Sequence, residues 1–224
     1  GKIVMQLWHV GRISHSSLLP GGAAPVSSTA RAAQGKTFTA DGFVDCSTPR
    51  MLRLDEIPAL VNDYRQAARN AIDAGFDGVE VHAANGYLLE QFLRDSINDR
   101  ADAYGGSIAN RARLLVEVMQ AVVAEIGGGR TGIRLSPITP VNDAAQDSDA
   151  QALYEHVVRQ LAPLGLAFIH LIEGQTGGAR DLTAKGVKPF DYAALRALYT
   201  GPWMVNNGYS RPMALDAVAS GAAD

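Results

Sequence analysis

The sequence predicts an α/β fold in which helices cover a parallel sheet. Five short β-rich segments alternate strictly with five helical patterns along the 224 residues. The strand segments are almost wholly apolar, which is typical of parallel strands covered on both faces. Five such strand–helix units fit either an open doubly wound sheet or part of a (β/α)8 barrel.

The strand segments share runs of apolar and β-branched residues: Lys2–Trp8, Asp77–His82, Thr131–Ser136, Ala167–Glu173 and Trp203–Asn207. The helical segments share an amphipathic spacing: Leu54–Gly75, Arg111–Ile126, Ser148–Leu164, Phe190–Tyr199 and Ser210–Ser220. Asp55 is placed to cap the first helix and Gly75 to end it, and the glycines at 127–129 close the second. Ser210 is placed to cap the last helix, which has Pro212 in its first turn.

One segment, Gly11 to Arg53, belongs to neither pattern. It is rich in Gly, Pro and Ser and too long for a plain connection. We therefore expect a functional loop or lid near the mouth of a pocket. The whole chain, residues 1–224, is assigned to a single partial barrel domain.

The composition excludes several classes of protein. Hydrophobic residues make up 47% and charged residues 19%, and the net charge of −3 comes without any Lys/Arg block, so a nucleic-acid partner is not expected. No apolar run reaches the roughly 18 residues of a membrane span. Cys46 is the only cysteine, which is compatible with a reducing compartment such as the cytoplasm. No metal site is predicted.

Polar residues at the carboxyl ends of the strands favour the barrel. They are Gln6, His9, His82, Arg134, Glu173 and Asn207. Barrel enzymes carry their chemistry on this face. No G-x-G-x-x-G follows any strand, which weakens the doubly wound alternative.

The stretch HAANGY, His82 to Tyr87, brings three hydrogen-bonding side chains into one turn. His82 and Asn85 can converge as neutral donors on a carbonyl or phenolate oxygen and stabilise an enolate. Tyr87 beside them can give a proton to carbon. Each residue also has a purely structural interpretation: a strand-end histidine, an Asn-Gly turn and a core tyrosine.

Gln6 and Arg134 are polar residues inside strands and need partners there. A flavin ring would supply them for both, with Arg134 opposing the charge of the reduced ring. The alternatives are a hydrogen bond from Gln6 to a neighbouring loop and an ion pair of Arg134 with Glu80 or Glu173.

Five motifs together resemble the old yellow enzyme family of FMN-dependent ene-reductases. They are QLWHVGRISH (6–15), LPGGAAPVSSTA (19–30), HAANGYLLEQFLRDSINDRADAYGGSIANRARLL (82–115), GIRLSP (132–137) and NNGYS (206–210). The resemblance implies a TIM barrel with FMN at its carboxyl-terminal mouth. It implies NADPH or NADH as hydride donor and an activated alkene as substrate, reduced in a ping-pong scheme.

The resemblance also implies roles for single residues. His82 and Asn85 would bind the activating oxygen of the substrate, Tyr87 would protonate the α-carbon, and Trp8 would line the substrate pocket. For the cofactor, Gln6 and Arg134 would contact the polar edge of the flavin. Asn207 and Gly208 would lie at its phosphate.

The chain departs from the family pattern in length. Its five units would be the third to the seventh of eight, so the expected barrel is incomplete and both outer strands are free edges. Two accounts are open: a stretch of a longer reductase, or a chain that closes its sheet as a homo-oligomer. The alternative function is a catalytically silent barrel fragment without stable flavin binding. An iron–sulfur branch of the family also stays open.

Overall fold

The computed structural model describes residues 1–224. The strands are β1 (Val4–Leu7), β2 (Val26–Ser27), β3 (Lys36–Thr39), β4 (Gly42–Asp45), β5 (Arg50–Met51), β6 (Gly78–Ala83), β7 (Thr131–Leu135), β8 (Phe168–Ile172) and β9 (Trp203–Asn206). The helices are α1 (Ile57–Asp73), α2 (Leu88–Leu93), α3 (Ile108–Ile126), α4 (Ala150–Leu161), α5 (Tyr192–Arg196) and α6 (Arg211–Ala219).

The main sheet has five parallel strands in the order β1-β6-β7-β8-β9. Each strand therefore lies beside the next main-sheet strand along the chain, and the order never reverses. A doubly wound sheet requires a reversal, whereas successive units wound in one direction are the geometry of a barrel wall. Helices α1, α3 and α4 pack side by side, α1 on α3 and α3 on α4, as the outer layer of that wall.

The sheet is parallel and its inner strands β6, β7 and β8 are buried along almost their whole length, as predicted, but its two faces differ in polarity. One face packs on the helices in a core of 33 buried residues that includes Val79, Val81, Ile133 and Leu171. The other face carries polar side chains, because residues at alternate positions of a strand point to opposite sides. Edge strand β1 is exposed at all positions except Leu7.

The helices have different first turns from those predicted. A 3-10 turn, Leu54–Glu56, precedes α1, and the Glu56 carboxylate accepts the Arg53 backbone N–H, so Asp55 is not the cap. Helix α3 begins at Ile108, one residue after its cap Ser107, rather than at 111. Helix α5 is only Tyr192–Arg196, capped by Asp191. Gly75 ends the first helix as predicted, with a φ of 94° that suits glycine.

The long segment 11–53 is not structureless. It holds the parallel pair β2–β5 and the antiparallel hairpin β3–β4. Gln91 of α2 anchors it, accepting from the Arg12 backbone N–H at 3.1 Å and from Ser27 Oγ at 2.8 Å. Arg12 reaches on to Asp143, in the connection that follows β7.

No helix of the chain combines the length and the apolar character that a membrane crossing requires.

Candidate active site

Three aromatic rings of the predicted site lie against one another. Trp8 follows β1, His82 is the fifth residue of β6, and Tyr87 precedes α2. The ring centroids of Trp8 and His82 are 5.8 Å apart and nearly parallel, and Tyr87 meets both edge-on, at 4.8 and 5.3 Å. Trp8 is 54% exposed, so this cluster opens to solvent on one side.

His82 is held as one neutral tautomer. Its Nδ1 accepts the backbone N–H of Ala84 at 3.3 Å, which leaves the proton on Nε2. Burial lowers the pKa of His82 to about 4, and the nearby positive charge of Arg134 adds to the effect. At neutral pH the imidazole is therefore uncharged and can donate a hydrogen bond from Nε2.

Asn85 occupies the centre of the turn in a left-handed conformation, with φ 58°. Its backbone N–H donates to Ser136 Oγ at 2.7 Å, and its backbone oxygen accepts from Asn142 Nδ2 at 2.8 Å. Its side-chain Oδ1 accepts from Thr176 Oγ1 at 2.8 Å. With the oxygen occupied, the donor that the carboxamide offers to a ligand is Nδ2.

Tyr87 is half-buried and packs against a small cluster of Ile13, Ala33 and Cys46 from the long segment. The segment between β1 and α1 therefore contacts a predicted site residue. The Tyr87 hydroxyl makes no hydrogen bond within the chain.

Gln6, Glu80, Arg134 and His170 line the polar face of the sheet. Their strands are in register, with Gln6 opposite Glu80 and Arg134 opposite both His82 and His170. The Glu80 carboxylate accepts from Gln6 Nε2 at 2.6 Å and lies 2.7 Å from His170 Nδ1. Burial alone would raise the pKa of Glu80, but the interactions with His170, Gln6 and Arg134 together lower this pKa.

Arg134 forms no ion pair, so the alternative pairing with Glu80 or Glu173 was wrong. Glu80 is taken by Gln6 and His170, and Glu173 pairs with Arg180. The Arg134 Nε is buried and has no hydrogen-bond partner. Burial lowers the pKa of Arg134, opposed by the charge of Glu80. A half-buried guanidinium whose buried Nε has no partner is a site for a fixed acceptor.

Asn207 and Gly208 follow β9 in a positive-φ turn, at 114° and 66°. The Asn207 side chain donates to the backbone oxygen of Glu173, so it ties β9 to the end of β8. At Gly208 nothing lies within 4 Å of where a Cβ would stand. The Nδ2 of Asn207 is thus engaged within the chain, and the open approach is at Gly208.

The sequence did not predict His170, nor four residues that support the turn of Asn85: Glu90, Ser136, Asn142 and Thr176. Each of these four bonds the turn that carries Asn85. A signal was present for one of them, since Glu90 is a charged residue inside the apolar stretch YLLEQFL, four residues before Arg94. The others lie more than 50 residues from Asn85 and are brought there only by folding.

The fold and the site define a class of protein. A wall of parallel strand–helix units presents neutral donors, a phenol and a free guanidinium at the carboxyl ends of its strands, as barrel enzymes do. The whole chain, residues 1–224, matches the NADH:flavin oxidoreductase / NADH oxidase family, and the protein belongs to it.

The chain is similar to curated plant proteins of this family. It is 48% identical to 12-oxophytodienoate reductase 1 of Oryza sativa subsp. japonica, covering 98% of the chain and 56% of that protein. It is 44% identical to 12-oxophytodienoate reductase 7 of the same organism, covering 100% of the chain and 60% of that protein. The chain thus spans a little over half the length of these relatives.

Solved structures of similar proteins also match the whole of this chain and are longer than it. An old yellow enzyme homologue from Zymomonas mobilis superposes with a TM-score of 0.90 at 41% identity, over 100% of this chain and 61% of that one. A mutant of morphinone reductase in complex with tetrahydroNAD gives 0.90 at 38% identity, over 100% and 60%. The predicted resemblance to old yellow enzymes and the partial TIM barrel are confirmed.

The family implies FMN, and the residues present fit it. The unpartnered Nε of Arg134 and the carboxamide of Gln6 stand on the polar face, where the ring edge of a flavin offers acceptors and a donor. Gln6 Nε2 donates to the Glu80 carboxylate, so the Oε1 of Gln6 stays available as an acceptor. Gly208 leaves room for a phosphate to approach the backbone.

Proposed function

We propose that this protein is an FMN-dependent ene-reductase that takes hydride from NADPH or NADH and reduces C=C bonds activated by a carbonyl or nitro group. The observation that carries the proposal is the neutral, tautomer-fixed His82, which lies beside Tyr87 and opposite Arg134 of the neighbouring strand. When bound, FMN would supply the hydride chemistry that links NADPH or NADH to the alkene. If the nicotinamide and the alkene bind in turn in the same pocket, the scheme is ping-pong.

His82 and Asn85 would polarise the substrate. The Nε2–H of His82 and the Nδ2–H of Asn85 are the two donors that the turn leaves free. Both are uncharged, so they stabilise an oxygen as negative charge develops on it without requiring an anion in the ground state. Trp8, stacked on His82, would form one wall of the substrate pocket.

Tyr87 would complete the reduction by protonating the α-carbon. Its hydroxyl has no partner within the chain, and the ring is fixed between Trp8 and His82. One proton from Tyr87 and one hydride from the cofactor make up the two hydrogens that a C=C bond gains. Because Tyr87 is only half-buried, solvent can return the proton.

Gln6, Arg134, Asn207 and Gly208 would hold the cofactor. Arg134 would oppose the negative charge that the ring gains on reduction. Asn207 would act through its bond to Glu173, which shapes the turn that presents Gly208. Residues 1–224 would form one partial barrel domain, and the segment 11–53 would shape the pocket mouth through its contacts with Tyr87.

We further propose that the protein acts in the cytoplasm on small molecules. The lone, buried Cys46 suits a reducing compartment. A homo-oligomer is proposed as the assembly in which the free sheet edges of the chain would be covered, because β1 and β9 each have one unpaired side.

The test uses the purified full-length protein with FMN. A shifted flavin spectrum that survives desalting supports the proposal, as does a further spectral change when a phenol is added. His82→Ala should weaken transition-state stabilisation by roughly 3 kcal/mol, the scale of one oxyanion donor, and weaken phenol binding. A protein that loses all flavin on desalting would indicate the catalytically silent alternative, and unchanged phenol affinity in His82→Ala would refute the assigned role.

A further inference from the structure

A fully buried carboxylate lies directly beneath the turn that carries Asn85. Glu90 of α2 is wholly inaccessible to solvent, as are its partners Arg94 and Ser136. Its Oε1 accepts from Ser136 Oγ at 2.7 Å, Tyr154 OH at 2.7 Å and Arg94 at 2.9 Å. Its Oε2 accepts from the backbone N–H of Gly86.

This network ends on two successive backbone amides of the turn. Ser136 Oγ accepts the Asn85 N–H at 2.7 Å while donating its own proton to Glu90, and Gly86 bonds Glu90 directly. Asn85 and Gly86 both have left-handed backbones, with φ 58° and 72°. An asparagine in that region is held against an intrinsic preference of about 1 kcal/mol, so the two bonds decide its conformation.

The buried ion pair also fixes the opposite side of the turn. Arg94 donates to the backbone oxygens of Ser136, Thr139 and Ala144 and so holds the connection after β7. From that connection Asn142 donates to the Asn85 backbone oxygen. Buried ion pairs add little net stability compared with an apolar core, so the gain from Glu90 and Arg94 lies in the defined geometry.

We propose that Ser136, anchored by Glu90, is a positioning residue that fixes the left-handed backbone of Asn85 and thereby the direction of its carboxamide donor. This inference rests on the proposed function, in which Asn85 binds the substrate oxygen. Ser136 touches neither substrate nor cofactor in this role. It acts only through the backbone of Asn85.

The test compares Ser136→Ala with Tyr154→Phe in the FMN-loaded full-length protein. Both variants delete one buried hydroxyl that donates to the same oxygen of Glu90 at 2.7 Å, but only Ser136 contacts Asn85. Ser136→Ala should speed hydrogen exchange of the Asn85 amide and weaken phenol affinity, each by about tenfold, the scale of one lost hydrogen bond. Tyr154→Phe should leave both within about twofold, although it too lowers overall stability.

The outcomes separate the positioning role from general stability. Equal changes of exchange and affinity in the two variants would overturn the inference, as would an unchanged Asn85 exchange rate in Ser136→Ala. A third variant, Asn85→Ala, tests the proposed function itself through phenol affinity. If that affinity does not change, the substrate role of Asn85 fails, and the exchange rates alone then decide whether Ser136 fixes the turn.

Discussion

At the scale of single residues, the candidate site presents uncharged donors whose tautomer or orientation is set by neighbouring groups. The backbone N–H of Ala84 fixes the tautomer of His82, and burial beside Arg134 keeps the ring uncharged. Thr176 fixes the orientation of the Asn85 carboxamide in the same way. Neither effect can be read from a histidine and an asparagine three positions apart, because both depend on hydrogen-bond partners.

Tyr87→Phe should separate the two half-reactions. Loss of the proton donor is expected to slow alkene reduction on the order of 10²–10⁴-fold, while reduction of the flavin by NADPH stays nearly intact because it needs no proton from Tyr87. Stopped-flow measurement of each half-reaction checks this. An equal fall in both rates would show that Tyr87 is not the proton donor.

His82 should make stability depend on pH. Its pKa falls from 6.5 when unfolded to about 4 when folded, so between these values the unfolded chain binds the extra proton. The contribution of His82 to the free energy of unfolding is complete above pH 6.5 and is lost as the pH falls towards 4. Relative to His82→Gln, the protein should lose on the order of 2–3 kcal/mol of unfolding free energy between pH 7 and pH 4.5.

Urea denaturation at the two pH values measures this difference. His156→Gln, which removes a histidine of α4 away from the site, is the matched control. Parallel pH dependence in the protein and in His82→Gln would show that His82 is not held neutral.

At the scale of elements, the turn between β6 and α2 is the most constrained part of the site. It leaves the strand, passes through two left-handed residues and enters the helix, and the connection after β7 packs directly on it. At Gly86 a Cβ would meet the Val141 backbone oxygen at 2.8 Å. Glycine is therefore required there for its backbone conformation and for space.

Gly86→Ala should consequently be more destabilising than an ordinary left-handed glycine. We expect a loss of roughly 2–4 kcal/mol of unfolding free energy, from backbone strain plus the clash. Gly21→Ala is the control, with φ 64° but no atom within 4 Å of the new Cβ, and should cost about 1 kcal/mol. Urea denaturation of both variants measures these unfolding free energies. Equal losses in the two variants would show that the new Cβ at position 86 makes no costly contact with Val141.

At the scale of the whole molecule, the sheet is buried at its centre and exposed at both edges. Its middle strands are buried, whereas β1 and β9 carry exposed apolar residues such as Val4 and Met204 and have one unpaired side each. Unpaired apolar edges are templates for further strands. Glu80, His82, Arg134 and His170 lie on the three inner strands, whereas Gln6 lies on an edge strand.

Residues 1–224 in isolation should therefore associate as concentration rises. The double variant Val4→Lys, Met204→Lys places a charge on each edge strand and should shift the chain towards monomer. Leu54→Lys changes an exposed apolar residue of a 3-10 turn outside the sheet and should leave association unchanged. Light scattering after gel filtration measures this. Equal association in all three proteins would exclude the edges as the contact.

Strict alternation of apolar strands and amphipathic helices was enough to predict the fold class, because periodicity is a local property of the sequence. The polar residues at strand ends were enough to nominate His82, Asn85, Tyr87, Gln6 and Arg134. The helix starts were less well predicted: Asp55 bonds the Arg53 guanidinium instead of capping α1, since a 3-10 turn comes first.

The sequence by itself determined the succession of strand–helix units, the family, and the turn that carries the candidate chemistry. Only the tertiary structure decided that Arg134 is unpaired, that Asn207 is tied to Glu173, and that Glu90 and Ser136 hold the backbone of Asn85. The reason is that hydrogen-bond partners are set by distance in space. Asn85 and Ser136 lie 51 positions apart in the chain and 2.7 Å apart in the fold.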